Sequence, residues 1–250
     1  MLTATDLRRA LEAIRESAPV HAEDEVGSTN TLALELAAAG APEWTLVSAA
    51  HQTRGRGRLD RTWVDVPGGA VMCSVILRPT LEPARAGLLA LLAGAALAQA
   101  IRRTTGAKAT CKWPNDVLVG DGKVAGVLSE SVVADGRLSC VVVGFGVNVR
   151  APDGVANAAA LGSVEPGALL RGFLEGFHDV YVLGEPDVAD RVKAVWLPVN
   201  STIGREVEVT VTSGDVVRGR AVGLDRFGGL LLSTDDGEQT VSFGELTHLG

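Results

Sequence analysis

Apolar residues recur along this chain with a helical period in some stretches and with a strand-like run in others. Leu7, Leu11 and Ile14, for example, lie on one face of a predicted first helix. The predicted helices cover Thr5 to about Ser17, Thr31 to Ala37, Ala86 to Ile101, Gly167 to Tyr181 and Val188 to Trp196. The predicted strands cover Leu46 to Ala50, Ala70 to Leu77, Val117 to Val119, Val124 to Val133 and Leu138 to Val149. Such a mixture indicates an α+β protein.

Short glycine-containing turns join the last three of these strands. Gly120-Asp121-Gly122 and Asp135-Gly136 are both typical of β-hairpins. We therefore expect mostly antiparallel neighbours rather than a doubly wound parallel sheet.

The pattern changes after Leu197-Pro198, where short strands replace helices. Val207, Val209 and Val211 alternate with polar residues, which predicts a strand with one buried face. The predicted strands of this part are Val207 to Val211, Val216 to Leu224, Leu230 to Ser233 and Thr240 to Phe243. We predict a small C-terminal β-barrel, and with it two domains at residues 1–198 and 199–250.

The composition is that of an ordinary globular protein, with 46% hydrophobic and 21% charged residues among 250. A chain of this length can form one large domain and one small one. The net charge of −7 argues against DNA or RNA as the main partner, because binding to a phosphate backbone requires many basic contacts. Positive charge is concentrated locally instead, which suits a small anionic ligand.

Neither a disulfide framework nor a membrane span is predicted. Cys73, Cys111 and Cys140 stand far apart, which favours reduced thiols over disulfides or a zinc site. No apolar signal-peptide core begins the chain. The apolar stretch from Ala86 to Ile101 is short and ends in Arg102-Arg103, which favours a buried helix. We expect a cytoplasmic protein without a membrane partner.

The most informative local feature is the segment Gln52-Thr53-Arg54-Gly55-Arg56-Gly57-Arg58. An arginine can hold a carboxylate or phosphate through two hydrogen bonds, and the glycines let the backbone wrap around such an anion. Taken alone, the run is equally typical of a solvated basic loop or an RNA-binding patch. A second segment, Lys112-Trp113-Pro114-Asn115-Asp116, is followed by Lys123-Val124-Ala125-Gly126. Together they predict a site for a nucleotide and a second anion.

With these residues taken together, the chain resembles biotin–protein ligases, which activate biotin with ATP and attach it to a carrier lysine. The matching segments are Ser28-Thr29-Asn30, Gln52-Thr53, Gly55 to Arg58, Trp63, Lys112 to Asp116, Lys123 to Leu128 and Gly144 to Asn148. They occur in the family's order and spacing over nearly the whole chain.

One departure from the family's pattern concerns the basic loop. Arg54 stands where the family usually has alanine, and Leu59-Asp60 stands where it has a second glycine. Arg56 and Arg58 are retained. We expect the departure to alter the mobility of the loop and Asp60 to pair with one of the arginines.

The resemblance implies a fold and a set of partners. The fold is a mixed, largely antiparallel sheet with helices, like that of class II aminoacyl-tRNA synthetases, followed by an SH3-like barrel. Too few residues precede Ser28 for a winged helix, so the monofunctional type without a DNA-binding domain is expected. The implied substrates are ATP and biotin, with Mg²⁺, and the implied protein partner is a biotin carboxyl carrier domain of an acyl-CoA carboxylase. A monomer or weak homodimer is expected.

The resemblance also implies residue roles. Lys123 contacts both the biotin carboxylate and the phosphate, Lys112 faces the phosphates, and Arg56 with Arg58 covers the biotinyl-AMP and shields it from water. These four are the predicted catalytic residues. The predicted biotin-binding residues are Ser28, Thr29, Asn30, Gln52, Arg56, Gly57, Arg58, Lys123 and Gly126. The predicted ATP-binding residues are Arg56, Arg58, Trp63, Lys112, Asn115, Asp116 and Asn148.

Several of these residues have ordinary structural alternatives. Ser28-Thr29-Asn30 fits helix capping as well as an uncharged ureido ring. Trp113 fits a hydrophobic core as well as a ligand, and Lys123 taken alone is typical of an exposed turn. Asp116 suits either the incoming lysine or Mg²⁺, so the metal ligands stay unassigned. His51 adjoins the loop and is expected to take no part.

Three alternative functions stay open beside the ligase. One is acyl transfer of the lipoate or octanoate ligase type on the same fold. Another is a biotin sensor without catalysis, and the third is a regulatory module that binds nucleic acid. The acidic net charge disfavours the last of these.

Overall fold

The computed structural model of the protein describes residues 1–182 and 187–249. Its helices are α1 (Ala4–Ala13), α2 (Thr29–Ala38), α3 (Gly87–Thr105), α4 (Pro166–Tyr181) and α5 (Val188–Trp196). The first seven strands are β1 (Val20–Val26), β2 (Leu46–Gln52), β3 (Ala70–Leu77), β4 (Ala109–Lys112), β5 (Asp116–Val119), β6 (Gly122–Ala134) and β7 (Arg137–Asn148). The last five strands are β8 (Glu206–Thr210), β9 (Val216–Leu224), β10 (Leu230–Thr234), β11 (Gly237–Val241) and β12 (Glu245–His248).

The main sheet contains seven strands in the order β1-β2-β3-β7-β6-β5-β4. Strands β1 and β2 are parallel, and every other neighbouring pair is antiparallel. The prediction of a mixed, largely antiparallel sheet is therefore confirmed. Strand β3 is buried at every position, because it lies inside the sheet and its residues are almost all apolar.

Two strands of this sheet were not predicted. Strand β1 carries His21, Glu23, Asp24 and Glu25, and the structure places it at the edge of the sheet, where acidic side chains reach water. Its composition hides the strand from a search for apolar alternation. Strand β4, at the opposite edge, has only four residues.

The apolar stretch around Ala86 to Ile101 forms the buried helix α3. The helical stretch Pro83–Thr105 is long and apolar enough to cross a membrane by length and composition, but 67% of its most apolar window is buried inside the protein. Its leucines and alanines pack against α4, α5 and the sheet. Gly106 ends the helix in the left-handed conformation (φ 74°) that glycine adopts without strain.

The C-terminal strands form a second, wholly antiparallel sheet in the order β11-β10-β9-β8-β12. The strand predicted at Thr240 to Phe243 is instead Gly237–Val241, and β12 follows it after a short turn. Within the described residues the outer strands β11 and β12 do not pair, so the structure shows an open sheet rather than a closed barrel. Gly250, the last residue of the predicted second domain, lies outside the described residues.

The two sheets share one hydrophobic core and several hydrogen bonds. The carbonyl of Cys111 accepts from the backbone N–H of Ser201 (2.8 Å). The backbone N–H of Trp113 donates to Thr202 Oγ1 (2.9 Å), and its indole Nε1 donates to the Gly228 carbonyl (3.0 Å). Trp113 is therefore a core residue at the junction, as one of the two interpretations of the sequence had it.

All three cysteines are buried and free, as predicted. Burial raises the pKa of Cys73 and of Cys111 to about 12, because the thiolate is disfavoured away from water. These thiols are therefore protonated and unreactive at neutral pH.

The Trp113 indole provides a test of the junction. Because Trp113→Phe leaves the buried Gly228 carbonyl without its donor, it should lower the free energy of unfolding by about 1–3 kcal/mol more than Trp196→Phe. Trp196 is an equally buried tryptophan in α5 and controls for lost ring volume. Urea denaturation measures both variants, and equal losses would contradict the role of the hydrogen bond.

Candidate functional site

One cavity of about 780 Å³ gathers the predicted site residues. It opens between the main sheet, the loop that follows β2, and β12 of the second sheet. The predicted residues that line it are Ser28, Thr29, Asn30, Gln52, Arg56, Gly57, Arg58, Trp63, Lys112, Asn115, Asp116, Lys123, Gly126 and Asn148. No predicted site residue lies elsewhere, although the lining does not by itself assign roles.

Neutral hydrogen-bonding groups at Thr29 and Gln52 line part of the cavity. The backbone N–H of Thr29 donates to Gln52 Oε1 (2.7 Å), and the Thr29 hydroxyl lies 3.1 Å from the same oxygen. The Gln52 amide nitrogen lies 3.2 Å from the sulfur of Met72, a weak acceptor, so it retains donor capacity for a ligand. Ser28 begins α2, but its side chain makes no capping hydrogen bond. Capping therefore does not account for Ser28.

The basic loop is a short irregular hairpin. The backbone N–H of Gly57 donates to the Arg61 carbonyl (2.7 Å), and that of Trp63 donates to the Gly55 carbonyl (3.0 Å). At its tip, Leu59 (φ 52°) and Asp60 (φ 56°) are both left-handed. Glycine adopts this conformation at least cost. The departure from the family's pattern thus falls where the backbone would favour glycine.

Two arginines of the loop pair with carboxylates from other parts of the chain. Arg56 forms an ion pair with Glu130 on β6 (2.8 Å), and Arg61 pairs with Glu245 on β12. The hydrogen bond to Arg61 lowers the pKa of the Glu245 carboxyl. The expectation that Asp60 pairs with an arginine is therefore wrong. Asp60 lies at the tip of the turn, and the partners come from strands that flank the cavity.

Arg58 reaches across the cavity to neutral acceptors. Its Nη1 lies 3.3 Å from both Asn115 Oδ1 and the Gly244 carbonyl. Burial lowers the pKa of its guanidinium, because desolvation disfavours the charge. Its charge is thus available to an anion in the cavity.

The two site lysines differ in their partners. Lys123 Nζ lies 2.6 Å from Asp116 Oδ1, across the β5–β6 hairpin. Lys112 lines the cavity, and no carboxylate of the described residues forms an ion pair with it. Burial lowers the pKa of Lys112, and the nearby charges of Asp116 and Glu245 oppose that shift. An anion beside Lys112 would compensate its partly buried charge.

An aromatic ring and an amide mark another part of the cavity. The Trp63 ring lies so close to Gly146 that a Cβ there would be 2.6 Å from it. Asn148 donates to the Ala159 carbonyl (3.1 Å). In the part of the chain that the structure describes, the buried Trp63 Nε1 and Asn148 Oδ1 have no partner. Two buried polar atoms beside the cavity thus lack a hydrogen-bond partner within the described residues.

Several residues of the site were not predicted from the sequence. Glu130 follows Gly126 at a spacing of four along β6, so both lie on the same face of the strand. That alternation was a usable signal. Asp65 accepts from the Gln52 backbone N–H (3.2 Å) and lies 3.0 Å from His51 Nδ1, which closes the base of the loop. Neither Asp65 nor His51 lines the cavity.

The C-terminal sheet contributes further residues to the cavity, including Arg205 and His248. His248 has a pKa lowered to about 4, first by burial and then by the charges of Arg205 and Lys112. Its imidazole is therefore neutral at physiological pH.

Comparisons with known proteins identify the family of the chain. Residues 24–148 match the model of the biotin/lipoate A/B protein ligase family, and residues 202–248 match the biotin protein ligase C-terminal domain. The chain is 36% identical over 241 residues to a biotin–[acetyl-CoA-carboxylase] ligase of Mycobacterium tuberculosis, covering 90% of this chain and 87% of that protein. It is 34% identical over 229 residues to a bifunctional ligase/repressor of Bacillus subtilis, covering 86% and 69%.

A solved structure shows the same architecture. The biotin protein ligase from Aquifex aeolicus in complex with biotin and ATP superposes with a TM-score of 0.72 at 25% identity, covering 92% of this chain and 98% of that one. The chain belongs to the biotin protein ligases of the biotin/lipoate A/B protein ligase family. The resemblance predicted from the motifs is thereby confirmed.

The lowered pKa of His248 predicts a pH dependence of stability. Because the folded protein binds this proton less readily than the unfolded chain, the stability contributed by neutral His248 is present above pH 6.5 and lost as the pH falls toward 4. With allowance for solvent screening the effect is about 1 kcal/mol. The His248 imidazole resonance should titrate near pH 4 by NMR. In His248→Gln the free energy of unfolding should depend less on pH between pH 4 and pH 6.5 than it does in the wild type. A midpoint near 6.5 would contradict the burial of the ring.

Proposed function

We propose that this chain forms biotinyl-5′-AMP and pyrophosphate from biotin and ATP, and then transfers biotin to a lysine of a biotin carboxyl carrier domain. The observation that carries the proposal is that a single cavity combines two kinds of group. Neutral donors and acceptors at Thr29 and Gln52 line it together with two lysines and two arginines, Lys112, Lys123, Arg56 and Arg58. That combination fits an uncharged ureido ring joined to a carboxylate beside a nucleotide. The Aquifex relative holds biotin and ATP together.

In the first step a biotin carboxylate oxygen attacks the α-phosphorus of ATP. The bond from that phosphorus to the bridging oxygen breaks, and pyrophosphate leaves with the electron pair. Both reactants are anions, so the protein must neutralise and align them. Lys123 and Lys112 both lie in this part of the cavity. The substrate carboxylate competes with Asp116 for Lys123, since Asp116 occupies its ammonium group in the ligand-free protein.

Arg56 and Arg58 serve as a cover over the acyl-adenylate. Both belong to the loop that overhangs the cavity, and the acceptors that Arg58 meets among the described residues, Asn115 and the Gly244 carbonyl, are uncharged. A phosphate would bind its guanidinium more strongly than these do. The loop then excludes water from the mixed anhydride.

We assign the adenosine part to the region around Trp63 and Asn148. The Trp63 indole N–H and the Asn148 amide oxygen have no partner among the described residues, and once a side-chain movement opens them to the cavity they supply the donor and the acceptor that a purine edge requires. Asn115 donates to the Val127 carbonyl (2.8 Å), and its oxygen meets Arg58. It therefore supports the arginine beside the nucleotide.

In the second step the carrier's lysine amine attacks the biotinyl carbonyl. The bond from that carbon to the AMP oxygen breaks, AMP leaves, and the amine loses a proton as the amide forms. Asp116 lies within the cavity and orients the incoming lysine through its charge. We place Mg²⁺ on the ATP phosphates as part of the substrate. Within the described residues no group of three His, Cys, Asp or Glu side chains could hold it.

We further propose that residues 1–198 and 199–250 are separate domains and that the second has the strand arrangement of an SH3-like barrel, left open between β11 and β12 in the described residues. Five short antiparallel strands with a bulge between Leu231 and Leu232 support this assignment. In this proposal the small domain completes the nucleotide end, through Gly244 and Glu245. The protein acts in the cytoplasm as a monomer or weak homodimer, without nucleic-acid or membrane partners.

The test is incubation of the purified protein with ATP, biotin and a biotin carboxyl carrier domain. The expected result is a carrier whose mass rises by one biotin, at one lysine, only when ATP is present. Lipoate and octanoate serve in parallel reactions. Modification with either acid in place of biotin would assign the chain to lipoate-type acyl transfer, and biotin binding without modification would make it a sensor.

Lys123→Ala should slow biotin-dependent pyrophosphate release by about a hundredfold or more, because it removes a charge from the reacting anions. The free energy of unfolding should change by less than about 1 kcal/mol, since the ion pair with Asp116 is partly exposed. Lys108→Ala removes an exposed lysine outside the cavity and is the matched control. Release at the wild-type rate by folded Lys123→Ala would remove Lys123 from the mechanism.

Arg56→Ala should release biotinyl-AMP into solution, where it hydrolyses. Single-turnover reactions without carrier, followed by filtration and chromatography, would find most of the intermediate in the filtrate rather than with the protein. Arg54→Ala, which alters an exposed arginine of the same segment outside the cavity, should retain it. Equal retention by both variants would contradict the shielding role of Arg56.

A further inference from the structure

Ser74 is a polar residue in an otherwise apolar strand. It lies in the middle of β3 and is fully buried, in contact with Thr29 and Asn30, which line the cavity. A buried hydroxyl is unfavourable unless it is hydrogen-bonded. Ser74 Oγ lies 2.6 Å from Asn30 Oδ1 and 2.8 Å from Thr29 Oγ1. The serine thus meets two neighbouring residues of α2 at once.

Counting protons determines the direction of these hydrogen bonds. The Asn30 amide nitrogen donates to the Leu128 carbonyl (3.2 Å) and to Glu130 (2.9 Å), so its oxygen must face Ser74 as an acceptor. The single Ser74 proton therefore goes to Asn30. The Ser74 oxygen is then free to accept the proton of the Thr29 hydroxyl.

This arrangement leaves Gln52 with a defined orientation. Its amide oxygen accepts from the Thr29 backbone N–H (2.7 Å), even when the Thr29 hydroxyl proton points to Ser74. The Gln52 nitrogen is consequently on the other side of the amide, where its hydrogen-bond partner within the described residues is the weak acceptor Met72. The orientation of α2 at Thr29 thus decides where Gln52 presents its donor.

The space for this network depends on Gly144. Ser74 and Gly144 are register partners on β3 and β7, and a Cβ on Gly144 would lie 1.9 Å from Asn30 Oδ1 and 2.9 Å from Ser74 Oγ. Any side chain there would displace the Asn30 amide. The network also reaches the loop, because Glu130 holds both Asn30 and Arg56.

We propose that Ser74 is a positioning residue for the ligand end of this cavity. Its hydroxyl sets Thr29 and Asn30, and through them it sets Gln52 on one side and the Glu130–Arg56 pair on the other. The inference rests on the proposed function only in naming biotin as the ligand whose polar ring meets Thr29 and Gln52. Ser74 itself does not contact the ligand.

The experiment compares Ser74→Ala with Ser48→Ala. Both serines are buried on adjacent strands, but the Ser48 hydroxyl has no partner among the described residues. Calorimetric titration with biotin gives the Kd, steady-state kinetics give KM for biotin and for ATP, and thermal melting reports the fold. Ser74→Ala should raise the biotin Kd about tenfold, because it leaves an acceptor unpaired and Gln52 misplaced. KM for ATP should rise less than KM for biotin, and Ser48→Ala should match the wild type in both.

A purely structural role would lower the melting temperature of Ser74→Ala without changing the biotin Kd, and that result would overturn the inference. Ser74→Cys is the second variant, for use if Ser74→Ala does not fold. It retains a side chain of similar size but replaces the hydroxyl with a weak donor, so it should also raise the biotin Kd. A wild-type biotin Kd for folded Ser74→Cys would overturn the inference. Wild-type protein that binds no biotin would refute both this inference and the proposed function, whereas equal Kd values for wild type and Ser74→Ala would refute this inference alone.

Discussion

Mutual repulsion among the positive side chains of a single cavity is the constraint on which the rest of the site depends. Lysines and arginines crowd there in a protein whose net charge is −7. Carboxylates on three different strands offset that repulsion: Asp116 on β5 pairs with Lys123, Glu130 on β6 with Arg56, and Glu245 on β12 with Arg61. These three carboxylates come together at the cavity only when both sheets are folded, so the charge balance of the site depends on the fold.

Two of these ion pairs, those of Arg56 and Arg61, link the basic loop to both sheets. Arg56 connects the loop to the main sheet, whereas Arg61 and Arg58 connect it to β12 and the turn before it. The ion pairs of Arg56 and Arg61 are solvent-exposed in part, so each contributes little to stability and is readily exchanged for a bound anion. A loop held by such weak contacts has a definite conformation without a ligand and can still rearrange around a bound ligand. Its tip at Leu59-Asp60 is left-handed, a conformation that costs these two residues more than it would cost glycine.

Much of the fold and of the candidate site could be predicted from the sequence, because helix periodicity, hairpin turns and motif order are local signals. Strand β1 could not, since its acidic residues at a sheet edge conceal any apolar alternation. The partner of Arg56 lies 74 residues away along the chain, so proximity in sequence wrongly suggested Asp60. In the sequence, Ser74 is a single polar residue within the apolar strand β3, and no motif marks it. Its significance depends on α2 packing across β3, which is a tertiary contact.

Adenylation requires that biotin and ATP bind together in this cavity. The decisive measurement is pyrophosphate release from ATP by the purified protein, with and without biotin and in the absence of carrier. We expect a burst of pyrophosphate that requires biotin, equals about one per protein molecule, and is not elicited by lipoate or octanoate. Folded protein that binds biotin but releases no pyrophosphate above the biotin-free rate would contradict it.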